Sequence, residues 1–141
     1  MIKFAKLPSN IEELLPKAVD YLRRRHDIEF AYFFGSIGRG KRLPLSDIDI
    51  AIYLKDVSEI HEKKMEILGV LMNLLETDEI DLVILNGAPL TLEMKILENK
   101  IVVVDHSPPL RHRYESLIMR EYFDFSVVEK AILERRFLSG R

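Results

Sequence analysis

Asp47 and Asp49 occupy alternate positions of "DIDIAIYL", residues 47–54, and a third acid, Asp81, sits in the similar stretch "EIDLVIL", residues 79–85. Side chains alternate along a strand, so Asp47, Asp49, Ala51 and Tyr53 share one face, while Ile48, Ile50, Ile52 and Leu54 share the other, which reads as the core. Asp81 is flanked by Ile80 and Leu82 in the same way, so it can stand beside the first two on a neighbouring strand. Three acids placed together repel one another unless cations neutralise them. Hard divalent ions such as Mg²⁺ prefer carboxylate oxygens and bring water and phosphates with them, so the cluster suits phosphate chemistry. The plainer alternative is a pair of aspartates facing water at the start of an edge strand.

The residues upstream argue for chemistry. "GSIGRGKRLPLS", residues 35–46, follows an apolar run and offers the backbone amides of Gly35 and Ser36 and the Ser36 hydroxyl to phosphate oxygens. A helix starting there would add positive partial charge. Arg39, Lys41 and Arg42 supply cations to a triphosphate, and Arg39 is the type suited to bidentate phosphate contact. An anion cradle and a metal cradle therefore flank one loop.

Regular elements must hold these groups. "IEELLPKAVDYLRRRH", residues 11–26, predicts a helix with Ile11, Leu14, Leu15, Ala18, Val19 and Leu22 on one side, capped by Ser9 or Asn10, with Pro16 tolerated near its first turn. "IEFAYFF", residues 28–34, reads as a buried strand ending at Gly35. After the second strand comes a long amphipathic helix within 58–78, a strand over 79–85, a short helix within 89–100, the strand "IVVVD", and helix from about 110 onward. "DHSPPL" marks where the last helix leaves the core. This order predicts an α/β sandwich, a mixed sheet of about four strands flanked by helices.

The 141 residues are most simply one domain. A hydrophobic fraction of 48% with 31% charged residues excludes a disordered chain, and no run approaches the roughly 20 apolar residues of a membrane span. With no signal-peptide core at the N-terminus, the expected location is the cytoplasm. The absence of cysteine removes disulfides, thiolate metal sites and a cysteine nucleophile. A net charge of −2 gives no general pull toward nucleic acid, so direct nucleic-acid binding is not expected and an anionic ligand must be drawn by a local patch.

Gly35-Ser36, ten intervening residues, then Asp47-Ile48-Asp49 resembles the signature of the nucleotidyltransferase superfamily related to DNA polymerase beta, and "GSIGRG" resembles that family's Gly-Ser-x-x-Arg-Gly form. The resemblance covers residues 15 to 105. It implies the polymerase-beta-like fold and two Mg²⁺ ions on Asp47 and Asp49, with Asp81 as third acid. It also implies a nucleoside triphosphate held by Gly35, Ser36, Arg39, Lys41 and Arg42. The short chain looks like the minimal nucleotidyltransferases, the antitoxin partners of HEPN-domain toxins. For this protein that implies AMP transfer from ATP to a tyrosine hydroxyl of a HEPN toxin. Alternatives are an antitoxin that acts only by binding and an enzyme acting on a small molecule such as an aminoglycoside.

The remaining features have plainer readings. His26, His61, His106 and His112 show no ligand spacing. "RRR" at 23–25 reads as a solvated helix end, Tyr53 as packing, and Met65 and Met72 as core. Residues 108–141 read as a helical extension whose Arg120, Tyr122, Phe123, Phe125 and Phe137 pack either on the domain or on a partner; separately, a homo-oligomer is left open.

Overall fold

The computed structural model describes residues 10–35 and 47–139, without side-chain detail for 137–139. Among these residues the chain runs α1 (Ile11–Arg24), β1 (Ile28–Phe34), β2 (Ile48–Leu54), α2 (Ile60–Leu75), β3 (Ile80–Ile84), α3 (Leu90–Glu98), β4 (Ile101–Asp105) and α4 (Pro108–Ser139). The element order and the mixed α/β architecture are those expected from the sequence.

The sheet has the order β3-β2-β1-β4. β1 pairs antiparallel with β2 and with β4, whereas β2 and β3 are parallel and joined by the α2 crossover. β1 lies inside the sheet, which explains its nearly unbroken apolar run: every residue except Glu29 is buried.

Both faces of the sheet are packed, a correction to the one-core reading of the sequence. On the isoleucine face, Ile48, Ile50, Ile52 and Leu54 meet Ile11, Leu14, Ala18 and Leu22 of α1 and Ile67, Leu71 and Leu75 of α2. The other face carries a second cluster in which Phe30, Tyr32, Phe34 and Ala51 meet Ile96 of α3 and Tyr114 and Ile118 of α4. Tyr53 belongs to it, stacked on Phe30 with centroids 4.8 Å apart, so its role is packing. The acids therefore stand at the end of a covered face.

Several local expectations change. Asn10 occupies the N-cap of α1 but makes no side-chain cap bond, and Pro16 is the sixth residue of the helix, on its exposed side, where the lost N–H faces water. Met65 is 52% exposed, because Ile67, Leu71 and Leu75 take the inward positions of α2. Arg25 is not a solvated end: its guanidinium donates to both carboxylate oxygens of Asp27, at 3.0 and 2.7 Å, and to the Tyr21 hydroxyl. Arg24 pairs with Asp20, and Arg23 donates to the Val103 carbonyl.

Two buried phenol–carboxylate pairs lock α4 to the body. Tyr32 Oη donates to Glu115 Oε2 at 2.6 Å, and Tyr114 Oη donates to Glu93 Oε2 at 2.6 Å. Burial, and then the adjacent carboxylates, push both phenols far above their ordinary range, so they remain donors.

Candidate active site

The register of the parallel pair sets Asp49 directly beside Asp81. Adjacent strands lie about 4.8 Å apart, so the two carboxylates leave the sheet on one face as neighbours. Asp47 lies two residues before Asp49, immediately ahead of β2, and half-buried like Asp49; Asp81 is exposed. The alternation that put Ala51 and Tyr53 in the aromatic cluster fixes the acids on that same face, one or two turns of the pleat nearer its open end.

Gly35 closes the site from the β1 side. Phe34 is the register partner of Asp49, and Gly35 follows it with φ of +68°, a left-handed conformation that side chains resist. A Cβ added there would overlap the Asp49 carboxylate at Oδ2. Glycine at 35 is thus required twice, by its backbone and by the approach of Asp49. The structure brings Gly35, Asp47, Asp49 and Asp81 to one end of the sheet. Ser36, Arg39, Lys41 and Arg42 lie outside the described residues.

The donor set fits a hard divalent cation by its chemistry, being three carboxylates grouped around a register pair. Among the described residues, no three carboxylate, histidine or cysteine side chains already stand close enough to hold one.

A cleft the sequence did not signal begins at Asp81. About 380 Å³ in volume, it runs along β3 between the first turns of α2 and the start of α3, and Ile60, His61, Lys64, Ile84, Pro89 and Leu92 are among its walls. Among the described residues, β3 is the last strand on this side. The Ile48 amide donates to the Glu79 carbonyl and the Leu85 amide to the Ile52 carbonyl, so odd-numbered residues of β3 face β2. The peptide groups of Ile80, Leu82 and Ile84 therefore turn to the open edge. The three-residue spacing of His61 and Lys64 is the one trace of this wall in the sequence. Of the other histidines, His106 donates through Nδ1 to the Ile28 carbonyl at 2.7 Å, and His112 neighbours Arg111.

No helix among the described residues is long and apolar enough to cross a membrane. No curated relative matches the sequence. Among solved structures, a toxin–antitoxin complex with AMP-PNP is 22% identical, covering 89% of this chain and 98% of that one with a TM-score of 0.67. A tri-AMPylated Shewanella oneidensis HEPN toxin in complex with MNT antitoxin is similar at 20% identity, covering 91% and 97% with a TM-score of 0.62. A structure assigned as a minimal nucleotidyltransferase is 25% identical over 64% of this chain and 93% of its own, with a TM-score of 0.54. The two complexes share the fold. Residues 16–109, which hold the glycine and all three acids, match the family described as "Polymerase beta, Nucleotidyltransferase". The chain belongs to that nucleotidyltransferase family.

Proposed function

We propose that this nucleotidyltransferase is an Mg²⁺-dependent adenylyltransferase that moves AMP from ATP to a tyrosine hydroxyl of a HEPN toxin, and so acts as its antitoxin. The observation that carries the reading is the Asp49–Asp81 register pair, closed on its far side by Gly35. The choice of acceptor is supported by the similarity to complexes with a HEPN toxin, one of them tri-AMPylated, and the choice of donor by the complex with AMP-PNP.

Asp47 and Asp49 would hold the metal, two ions in the family's pattern, with Asp81 completing the set on the acceptor side. Bound Mg²⁺ supplies charge neutralisation to the triphosphate and lowers the pKa of the attacking hydroxyl. The chain's own part is positional. The amide of Gly35, with Ser36, Arg39, Lys41 and Arg42, would hold the β and γ phosphates so that attack falls in line on the α phosphorus. Asp81, exposed at the mouth of the cleft, would accept the proton of the acceptor hydroxyl. A bond forms from the acceptor oxygen to the α phosphorus, the bond to the bridging α–β oxygen breaks, and pyrophosphate leaves.

The test is incubation with Mg²⁺, ATP labelled at the α phosphate and a lysate of the source organism, beside an Asp47→Asn/Asp49→Asn control, with mass spectrometry of labelled species. One protein carrying AMP on tyrosine, unlabelled in the control, is the expected result. Nucleotide binding without any labelled macromolecule would overturn the protein acceptor and favour a small-molecule acceptor or a binding-only antitoxin.

A further inference from the structure

The two edges of the sheet differ. On β4 the edge is tied to the protein itself, since Arg23 Nε donates to the Val103 carbonyl at 3.2 Å. On β3 the peptide groups of Ile80, Leu82 and Ile84 turn outward, and among the described residues nothing bonds them. Sheet edges are ordinarily blunted by lysine, proline or a covering segment, and "IDLVI" holds neither lysine nor proline. The space over this edge has the form of a channel. α2 runs back along the parallel pair it joins, so its first turns, with His61 and Lys64, lie over the Ile84 half of β3 on the isoleucine face. Ala88, Pro89 and Leu92 stand on the other face. Between them runs the cleft of about 380 Å³, with the unbonded edge as its floor and Asp81 at one end. A row of main-chain donors and acceptors repeating every second residue is matched along its length by another extended backbone, which supplies both kinds of group at the same repeat. A helix has already used its own main-chain groups internally and cannot supply them.

We propose that the edge of β3 docks an extended segment of the acceptor protein, added antiparallel as a further strand with its tyrosine opposite Asp81. This deepens the reading of the site as a protein adenylyltransferase and rests on it. Antiparallel addition is the more stable pairing. The tyrosine then shares the face of Asp81, and its side chain, longer than the strand spacing of about 4.8 Å, reaches across Asp81 toward Asp49. Residues one and three places before the tyrosine lie opposite Leu82 and Ile84 on the side of α2, where Lys64 supplies a cation and His61 a donor, so carboxylates fit there. The residue two places before it lies opposite Val83 and meets Pro89 and Leu92, so an apolar side chain fits there. The segment that matches this edge therefore reads acid, apolar, acid, tyrosine.

The test selects short tyrosine-centred synthetic peptides, randomised at every other position, on the full chain without nucleotide or metal, and measures Kd by calorimetry. Acids one and three residues before the tyrosine are expected to be enriched. N-methylation of the two residues flanking the tyrosine should raise the Kd of the best binder by about 10-fold or more, because their N–H groups face β3, whereas N-methylation of the tyrosine itself should leave it within about threefold. These changes lie in the peptide and leave the fold of the protein untouched. Lys64→Glu, with its fold checked by circular dichroism, should move the enrichment from acids to Lys and Arg. No enriched peptide, a Kd indifferent to which amides are methylated, or sensitivity at the tyrosine instead would each overturn the docking edge. Adding Mg²⁺ and ATP labelled at the α phosphate separates this proposal from the transfer reading. A peptide that binds with the expected methylation pattern yet stays unlabelled supports the edge and counts against AMP transfer, whereas an acceptor protein labelled by Lys64→Glu with unchanged KM overturns the edge and leaves transfer standing.

Discussion

Replacing Gly35 by alanine separates the two demands made on that residue. An L side chain at φ of +68° costs about 1–2 kcal/mol, which lowers Tm by a few degrees, about 3–8 °C in a chain of this size. Gly87, at φ of +82°, carries the same backbone demand, but a Cβ there meets nothing within 4 Å. Gly87→Ala and Gly35→Ala should therefore lose similar stability from backbone strain. Only at Gly35 does the added carbon also collide with the Asp49 carboxylate, which must swing away or push β2 outward. Displacing a reacting group by about 1 Å costs on the order of 100-fold in rate. The assay is transfer of labelled AMP to the acceptor found with wild-type protein, read beside calorimetric unfolding of both variants. Gly35→Ala is expected to lose transfer about 100-fold while Gly87→Ala stays within about threefold. If both variants keep wild-type transfer, Asp49 is not the group that Gly35 positions, and the reasoning fails.

Further outcomes follow from the same contacts. Asp81→Asn removes the proposed proton acceptor and should cut transfer by about 100-fold or more, with ATP affinity in equilibrium binding changed only a few-fold; parallel loss of both would count against the assigned role. Tyr32→Phe deletes the donor to Glu115, which keeps Arg111 at 3.1 Å, and should cost about 1–2 kcal/mol in urea unfolding, so an unchanged midpoint would remove this pair from the stability of α4. Burial raises the Glu93 carboxyl above its ordinary 4.5, against the lowering effect of the Tyr114 bond. A raised carboxyl binds its proton more tightly in the folded state. Its contribution is therefore complete below 4.5 and is lost as pH rises through the folded value. Glu93→Gln should flatten the decline of stability above pH 4.5 relative to wild type, and identical slopes would show that Glu93 does not titrate in that environment.

The sequence made the strands legible where one physical signal acted alone. "IEFAYFF" matches β1 residue for residue because a run of β-branched and aromatic types ends on a glycine whose φ is positive. The acids were legible because period-two alternation survives in both β2 and β3, and the register then joined them. The second core was missed although Phe30, Tyr32 and Phe34 alternate with Ala31 and Phe33, apolar on both sides, which is what a strand buried on two faces looks like. Met65 was misplaced because Met65, Ile67 and Leu68 of α2 all carry long apolar side chains, and only packing decides which of them turns inward. The Tyr32–Glu115 bond spans 83 residues, and no local pattern records a contact of that separation. Arg25 looked like a helix-end charge because its partner Asp27 lies past the helix, in the turn before β1.

Among the described residues, the sheet ends on the strand that carries Asp81. Any segment added to that edge, from the same chain by insertion or from another molecule, lands beside the third acid without disturbing Gly35, Asp47 or Asp49, which are anchored on the inner strands. If Asp81 faces the acceptor as proposed, selectivity and chemistry would be inherited separately in this architecture: the acceptor would be exchanged by rebuilding one border of the molecule, while the residues proposed to handle phosphate stay as they are.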